Sequence, residues 1–371
     1  MKVLVCIPCL LTGGTEIQTL NLVQALVDGG HEVTTVCYFE YSPDMVQCYE
    51  QAGSKVKLLS SDGTRPVGVW HTLTFLFKRL GRVVKSCCPD VAHVQYMAPG
   101  AIPILILRLL GVKKMIATAH TAADIYSDLR LLHFVVKYVL VGFQCITLRA
   151  EESYFGSSTL YSEAYELRKK GNHFTIYNAL PCGMQMCNNR TIHQPKVIGV
   201  VSRLELIKGM DLVMPAFAEV KKHHPEVKLI VVGDGMLKSA MVKQAEELHL
   251  IDSIEWAGRQ PQDMLHKWYG KIDIVLMPSR SEGFGLTAIE AMANGCVVVA
   301  SNTGGLPEVV KDGKVGLLHN IEDVEDISKK IIRLLDDTKL YIKCQKTLYD
   351  YVQQYSLMRY ADAIRSLYSK L

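Results

Sequence analysis

Glu282 and Glu290 stand eight positions apart in the stretch Pro-Ser-Arg-Ser-Glu-Gly-Phe-Gly-Leu-Thr-Ala-Ile-Glu, with a Gly-x-Gly bend between them. On spacing alone, two carboxylates so placed suggest an acid/base couple. Upstream, Arg203 and Lys208 are five apart in Ser-Arg-Leu-Glu-Leu-Ile-Lys-Gly. A guanidinium offers a planar fork and an ammonium a point charge. With the free N–H groups of a helix N-terminus they suit a diphosphate. The other reading of that stretch is a solvated basic loop. Two signals are weaker alone. Gly13-Gly14 would let backbone approach a ligand, and His120 ends an apolar run, where a histidine is often structural. Gly304-Gly305-Leu-Pro-Glu reads either as another close backbone approach or as a plain turn before a helix.

These residues need elements to position them. Residues 272–277 and 296–300 are apolar runs that read as buried strands, with a helix-like segment between them, a βαβ unit. Ligands of such sheets bind in the loops at the carboxyl ends of the strands. Glu282 falls in that loop and Glu290 on the helix behind it. The Arg203 loop has the equivalent place, after a strand at 197–201 and before a helix at 211–223. Strands are also expected at 228–232 and 253–256, and helices at 236–248, 261–269, 322–335 and from 339 onward. The first half shows the same alternation, with strands at 2–8, 32–38, 55–59, 91–95 and 114–119 and a helix at 15–29. Residues 178–195 have no periodicity and are rich in turn formers, which reads as a linker.

A chain of 371 residues exceeds the usual size of one core, so two domains are expected. The class is α/β with two Rossmann-like, doubly wound parallel sheets facing across a cleft. The first domain spans 1–178, the linker 179–195 and the second domain 196–356. No run of 18 or more apolar residues is free of charge, which argues against a membrane span. The first residues read as a parallel strand rather than a secretion signal, because Gly-Gly-Thr-Glu and a helix pattern follow. Eleven scattered cysteines, several inside apolar runs, suit free thiols in a reducing compartment and hence the cytoplasm. Cys6-Ile-Pro-Cys9 has no second pair, so a zinc or redox site is not expected.

Taken in order, the motifs are Gly-Gly-Thr-Glu, Arg203 with Lys208-Gly209, Gly233-Asp-Gly235, the stretch from Pro278 to Gly295, and Gly-Gly-Leu-Pro-Glu. Together they resemble the retaining nucleotide-sugar glycosyltransferases of the GT-B fold, glycosyltransferase family 4 (glycosyl transferases group 1). The resemblance covers nearly the whole chain, is strongest from 197 to 316, and is weak from 41 to 113. It implies that a final helix at about 357–371 crosses back to the first domain. It gives Arg203 and Lys208 the donor diphosphate, where they would stabilise the leaving group. It places Glu282 near the sugar ring and Glu290 on the donor ribose, so the pair is a donor clamp rather than an acid/nucleophile couple. Backbone at Phe284, Gly285 and Leu286 would clasp sugar and phosphates. Gly14 would approach the diphosphate, His120 would contact the transferred sugar, and Arg259 lies where main chain meets the base. The resemblance implies no metal and no cofactor; the nucleoside-diphosphate sugar, UDP- or GDP-linked, is a substrate. Three positions depart from the family pattern: Tyr177-Asn178-Ala179 replaces Pro-Asn-Gly, Leu148 a serine, and His120-Thr121 a His-Asp pair.

Acceptor and partners are read mainly from the first domain. Residues 63–123 hold eight bases against one acid, Asp90, whereas the whole chain carries a net charge of only +4. On a helical wheel Trp70, Leu73, Phe77, Leu80 and Val84 share one face, and Lys78, Arg79, Arg82 and Lys85 share the other with Phe75. Such a helix, 70–85, suits an anionic membrane surface, peripheral on the inner face of the cell membrane, and a lipid-linked acceptor. A solvated helix is the other reading. No nucleic acid partner is expected. The function expected is transfer of a sugar to a glycan or lipid-linked acceptor in surface polysaccharide or glycolipid synthesis. The alternatives are a nucleotide-sugar epimerase or hydrolase, or a silent sugar-nucleotide binding protein.

Overall fold

The computed structural model describes residues 1–96, 101–123, 128–167, 171–184, 186–188, 190–194 and 196–371, and it forms two compact units. The first comprises Met1–Pro181 with Leu357–Leu371, the second Cys182–Ser356.

In the first unit the order is β1 (Lys2–Ile7), α1 (Gly14–Asp28), β2 (Glu32–Cys37), α2 (Pro43–Gln51), β3 (Lys55–Leu58), α3 (Val69–Cys87) and β4 (Val91–Tyr96). Then follow α4 (Ala101–Leu109), β5 (Met115–Ala119), α5 (Arg130–Tyr138), β6 (Gly142–Cys145), α6 (Leu148–Phe155) and β7 (His173–Thr175). The seven strands lie in the order β3-β2-β1-β4-β5-β6-β7. Every pairing is parallel. Apolar runs such as Val-Leu-Val-Cys-Ile in β1 are buried on both faces, as parallel strands covered by helices must be. One face packs α3, α4 and α5 through Leu80, Leu107 and Val135; the other packs α1 and α14 (Leu357–Ser369) through Leu26 and Ile364.

The second unit runs β8 (Val197–Val201), α7 (Val213–His223), β9 (Lys228–Val232), α8 (Lys238–Glu247), β10 (Ile254–Gly258) and α9 (Leu265–Tyr269). It continues with β11 (Ile274–Met277), α10 (Leu286–Ala293), β12 (Val297–Ser301), α11 (Leu306–Val309), β13 (Gly316–His319), α12 (Val324–Asp336) and α13 (Thr338–Val352). Its six strands are parallel, in the order β10-β9-β8-β11-β12-β13. In each sheet the strand order turns once, between β1 and β4 and between β8 and β11, and open parallel sheets bind their ligands at such points.

Three local readings change. The helix expected from 211 begins at Val213, after two 3-10 turns at Leu206–Lys208 and Met210–Leu212. Gly209 between them has φ 67°, a left-handed conformation that closes the first turn. The turn-rich stretch after 178 is tied to both units. Gln18 and Asn21 of α1 hold the backbone of Ala179 and Leu180, while the Arg190 guanidinium donates to Tyr269 O (2.9 Å) and Asn294 O (2.6 Å) of the second unit. The third change is the face of α3. Leu76 and Leu80 are its buried residues, with Leu73, Val83 and Val84 packed beside them, whereas Trp70 and Phe77 point outward. Phe75 keeps Arg79 beside it, the guanidinium 5.9 Å over its ring, but it is half-buried and stacks on Phe39 with centroids 6.3 Å apart.

Candidate active site

The loops after β8 and β11, neighbours at the switch point of the second sheet, are locked together by backbone. A Cβ on Gly209 would lie 1.9 Å from Pro278 O, so only glycine lets the two loops touch. Arg280 N donates to Ile207 O at 2.9 Å. The Arg280 guanidinium forms a fork onto Asp211, at 2.7 and 2.8 Å, and its Nε reaches Glu322 at 2.5 Å. That guanidinium holds the Asp211 carboxyl below its ordinary range. Arg280 thus rivets the β11 loop to the residues that follow Lys208.

Within this frame Lys208 Nζ meets Glu282 Oε2 at 2.7 Å, with both side chains mostly covered. Glu282 is held from behind. A Cβ on Gly304 would come within 1.8 Å of Glu282 O, and Gly305 N donates to that same oxygen at 3.1 Å. The Gly-Gly after β12 therefore seats the Glu282 loop. The Gly233-Asp-Gly235 turn after β9 does the same for Arg203. A Cβ on Gly233 would lie 1.8 Å from Ser202 O, and Leu204 N donates to Asp234 O. Arg203 itself is exposed and pairs with Glu205 at 2.7 Å.

Gly285 (φ 98°) caps α10, and no side chain caps the helix start. The first-turn amides of such a helix are suited to an anion or a sugar oxygen. Only backbone of Phe284 can serve, because its ring is buried against Tyr355 with centroids 5.6 Å apart. Leu286 opens α10 beside it. Glu290, one turn on, is buried. Gln262 Nε2 donates to it at 3.0 Å and the Tyr269 hydroxyl at 2.9 Å. Burial pushes its carboxyl up to about 7 against the pull of those two donors. Arg259 is exposed just after β10.

In the first unit His120 ends β5 and is buried, its Nε2 at 2.7 Å from Gln95 Oε1 at the end of β4. The amide oxygen can only accept, so Nε2 carries the proton and Nδ1 is left as an acceptor. Burial lowers the imidazole to about 4, which keeps it neutral near pH 7. Gly14 is the first residue of α1, whose start also lacks a side-chain cap. The Glu16 carboxylate folds back over that start; a Cβ on Gly13 would meet Glu16 Oε2 at 2.6 Å. An anion approaching Gly14 meets this carboxylate as well.

Lys208 and Glu282 thus meet at the edge where α10 starts, with Glu290 one turn into that helix and Arg203 exposed on the same loop as Lys208. Sequence reasoning missed Arg280, Asp211, Gln262, Tyr269 and Gln95. The only signals were of place: Asp211, Tyr269 and Gln95 stand at the ends of an expected helix at 211–223, a helix at 261–269 and a strand at 91–95.

Comparison with known proteins bears on the family and the fold. The family description Glycosyl transferases group 1 matches residues 187–350, and Glycosyltransferase Family 4 matches residues 12–149. Over 183 residues the chain is 36% identical to D-inositol 3-phosphate glycosyltransferase of Corynebacterium jeikeium, a match covering 47% of this chain and 44% of that protein. The chain thus spans less than half the length of that relative. Over 278 residues it is 26% identical to N-acetyl-alpha-D-glucosaminyl L-malate synthase of Bacillus anthracis, covering 72% and 70% of the two chains. Among solved structures, Anabaena HepE in complex with UDP and glucose superposes with a TM-score of 0.79 over 100% of both chains, at 18% identity. Sucrose-phosphate synthase from Thermosynechococcus elongatus gives 0.75 at 19% identity, over 100% of this chain and 98% of that one. At such identities the likeness is one of fold.

Proposed function

Because the chain belongs to the family-4 glycosyltransferases of the GT-B fold, we propose that it moves a sugar from a UDP- or GDP-sugar to a saccharide or lipid-linked acceptor, with retention of configuration. The Lys208–Glu282 pair beside the uncapped start of α10 carries this reading. In transfer, the bond from the anomeric carbon to the diphosphate oxygen breaks, and negative charge builds on that oxygen. Lys208 and Arg203 are the cations that stabilise it, and the α10 amides add fixed dipoles. The acceptor hydroxyl forms the new bond on the same face of the sugar and passes its proton to the departing phosphate oxygen. Glu282 orients the sugar and Glu290 the ribose, exchanging one of its internal donors for a ribose hydroxyl. Arg259 serves the base.

On the first unit, the same reading gives Gly14 the diphosphate and His120 a sugar hydroxyl, accepted at Nδ1. No metal or further cofactor enters, because the cations and helix amides do that work. The acceptor names carried by the relatives, inositol 3-phosphate and L-malate, support a hydroxyl acceptor. The basic helix α3 adds a membrane surface as partner, and with it glycolipid or surface polysaccharide synthesis. No described helix is long and apolar enough to cross a membrane.

The test is product analysis with UDP- and GDP-sugars, with and without acceptors, and with EDTA. Sugar transfer with unchanged anomeric configuration and full activity in EDTA is the expected result. Free sugar or an epimerised nucleotide as the sole product, or no turnover with any donor, sinks the proposal.

A further inference from the structure

The outward sides of α3 and α5 repeat one pattern. On α3, Trp70 and Phe77 are seven apart and 79% and 47% exposed, and Lys78 and Lys85, also seven apart, run beside them. On α5, Leu131, Phe134 and Tyr138 are 52%, 52% and 63% exposed, and Arg130 and Lys137 run beside them. Residues seven apart lie one above the other on a helix, so each helix shows an apolar strip flanked by a basic one. The Phe134 and Tyr138 rings are 5.1 Å apart, and Lys137 Nζ sits 5.2 Å over the Tyr138 ring. Between the two helices lies α4, which packs against both and ends in exposed Arg108 and Leu109. All three cover the same face of the first sheet. Together they carry seven basic residues and no acidic one.

We propose that the outer surface of α3, α4 and α5 docks as a unit on an anionic bilayer leaflet, with Trp70, Phe77, Leu131, Phe134 and Tyr138 entering the interface. This deepens the membrane contact put forward for α3 and rests on that reading. Charge complementarity selects the occupant. A surface with seven bases and no acid on its helices repels a second copy of itself. Lysine is depleted from protein interfaces, whereas aromatic side chains interleaved with Lys and Arg match the headgroup level of a membrane. Four of the five apolar side chains named here are more than half exposed to water, so nothing in the first unit's core needs them.

Co-sedimentation of the full chain tests this, with vesicles of phosphatidylcholine alone and of phosphatidylcholine mixed with phosphatidylglycerol. Binding to the mixed vesicles only, weakened by salt, is expected. Removing three bases (Lys78→Ala, Arg82→Ala, Lys85→Ala) is expected to weaken it on the order of 100-fold, from about 1 kcal/mol per base at such a surface. The α5 variant Leu131→Ser, Phe134→Ser, Tyr138→Ser touches only exposed positions. It is expected to lose roughly tenfold or more while keeping its melting temperature. Wild-type binding by the α5 variant overturns the proposal and leaves the α3 contact standing. Binding to neither vesicle overturns both. A dimer in sedimentation equilibrium that the α5 variant dissolves assigns the surface to a second copy and also overturns it. Transfer to a water-soluble acceptor without vesicles reports on the glycosyltransferase reading separately.

Discussion

The two sheet edges treat charge in opposite ways. At the edge of the second unit Lys208 and Glu282 keep their charges by pairing at 2.7 Å, and Arg280 keeps its own between Asp211 and Glu322. At the edge of the first unit His120 is buried against the neutral amide of Gln95, and His93 below it lies between Tyr368 and Thr118. Burial lowers these imidazoles to about 4 and about 3. An edge rich in paired charge can trade one partner for a diphosphate at little desolvation cost. An edge of neutral hydrogen bonds can orient a hydroxyl but adds little against developing charge. On the proposed function the second unit would carry the rate, and the first unit positioning.

The largest expected effect tests that division directly. Lys208→Ala removes a preorganised cation and should lower kcat/KM by roughly 100- to 1,000-fold, as losing a charge-stabilising donor does. His120→Ala removes one neutral hydrogen bond and should cost about tenfold. Steady-state transfer kinetics on both variants decide the point. Equal losses would erase the difference between the edges.

Protonation sharpens it next. Glu290 is pushed up to about 7, above its ordinary 4.5, so the folded second unit binds this proton more tightly than the unfolded chain. The stability it lends is complete below pH 4.5 and lost as pH rises through 7. His120 is depressed to about 4 from 6.5, so its contribution is present above pH 6.5 and lost as pH falls through 4. Each shift corresponds to a change on the order of 3 kcal/mol. The two windows overlap and their slopes oppose, so in thermal melts from pH 4 to 8 Glu290→Gln should leave stability rising with pH across the window and His120→Gln should leave it falling. Both variants tilting the profile the same way would contradict the assignment.

Backbone contact gives a somewhat smaller effect. Gly304 has φ 52° and no room for a Cβ beside Glu282 O. Gly304→Ala should destabilise the second unit by about 2–3 kcal/mol and weaken donor binding by displacing Glu282. Gly111 in the first unit has φ 92° with open space around it, so Gly111→Ala bears the backbone strain alone and should cost about 1 kcal/mol. Melting temperatures of the two variants measure the gap. A Gly304→Ala protein as stable as Gly111→Ala would show that the loop contact is dispensable.

Much of this edge was legible in the chain because strands and glycines announce themselves locally. The runs at 197–201 and 228–232 fall on β8 and β9, since buried β-branched residues end there at polar loops. Gly304 flagged a possible close approach of backbone, whereas Gly209 and Gly233 stood only as motif residues, and none told what it approaches. Each touches backbone of a loop on another strand: Pro278, Ser202 and Glu282. Gln262 and Tyr269 were invisible as partners of Glu290 because β10 to α10 must fold before they meet it. Arg280 read as a filler between two serines, and its partner Asp211 lies 69 positions away. The strands β6 and β7 are four and three residues long, too short for a periodic signal. On α3 the wheel put Trp70 and Phe77 on one face with Leu80, whereas Leu80 is buried and Trp70 and Phe77 are exposed.

The smallest effect isolates Arg203. Its pair with Glu205 is two residues apart on the surface, with the arginine side chain 63% exposed. Such pairs contribute little, so Glu205→Ala should change stability by less than about 0.5 kcal/mol. The guanidinium it releases no longer has to break an ion pair before meeting a diphosphate, so donor KM should fall by about twofold with kcat unchanged. Arg203→Lys keeps the charge but loses the fork, and should raise donor KM instead. If Glu205→Ala raises KM, Glu205 is holding Arg203 toward the donor rather than competing for it. Charge at the second edge would then be positioned by paired carboxylates throughout, at Arg203 as at Lys208.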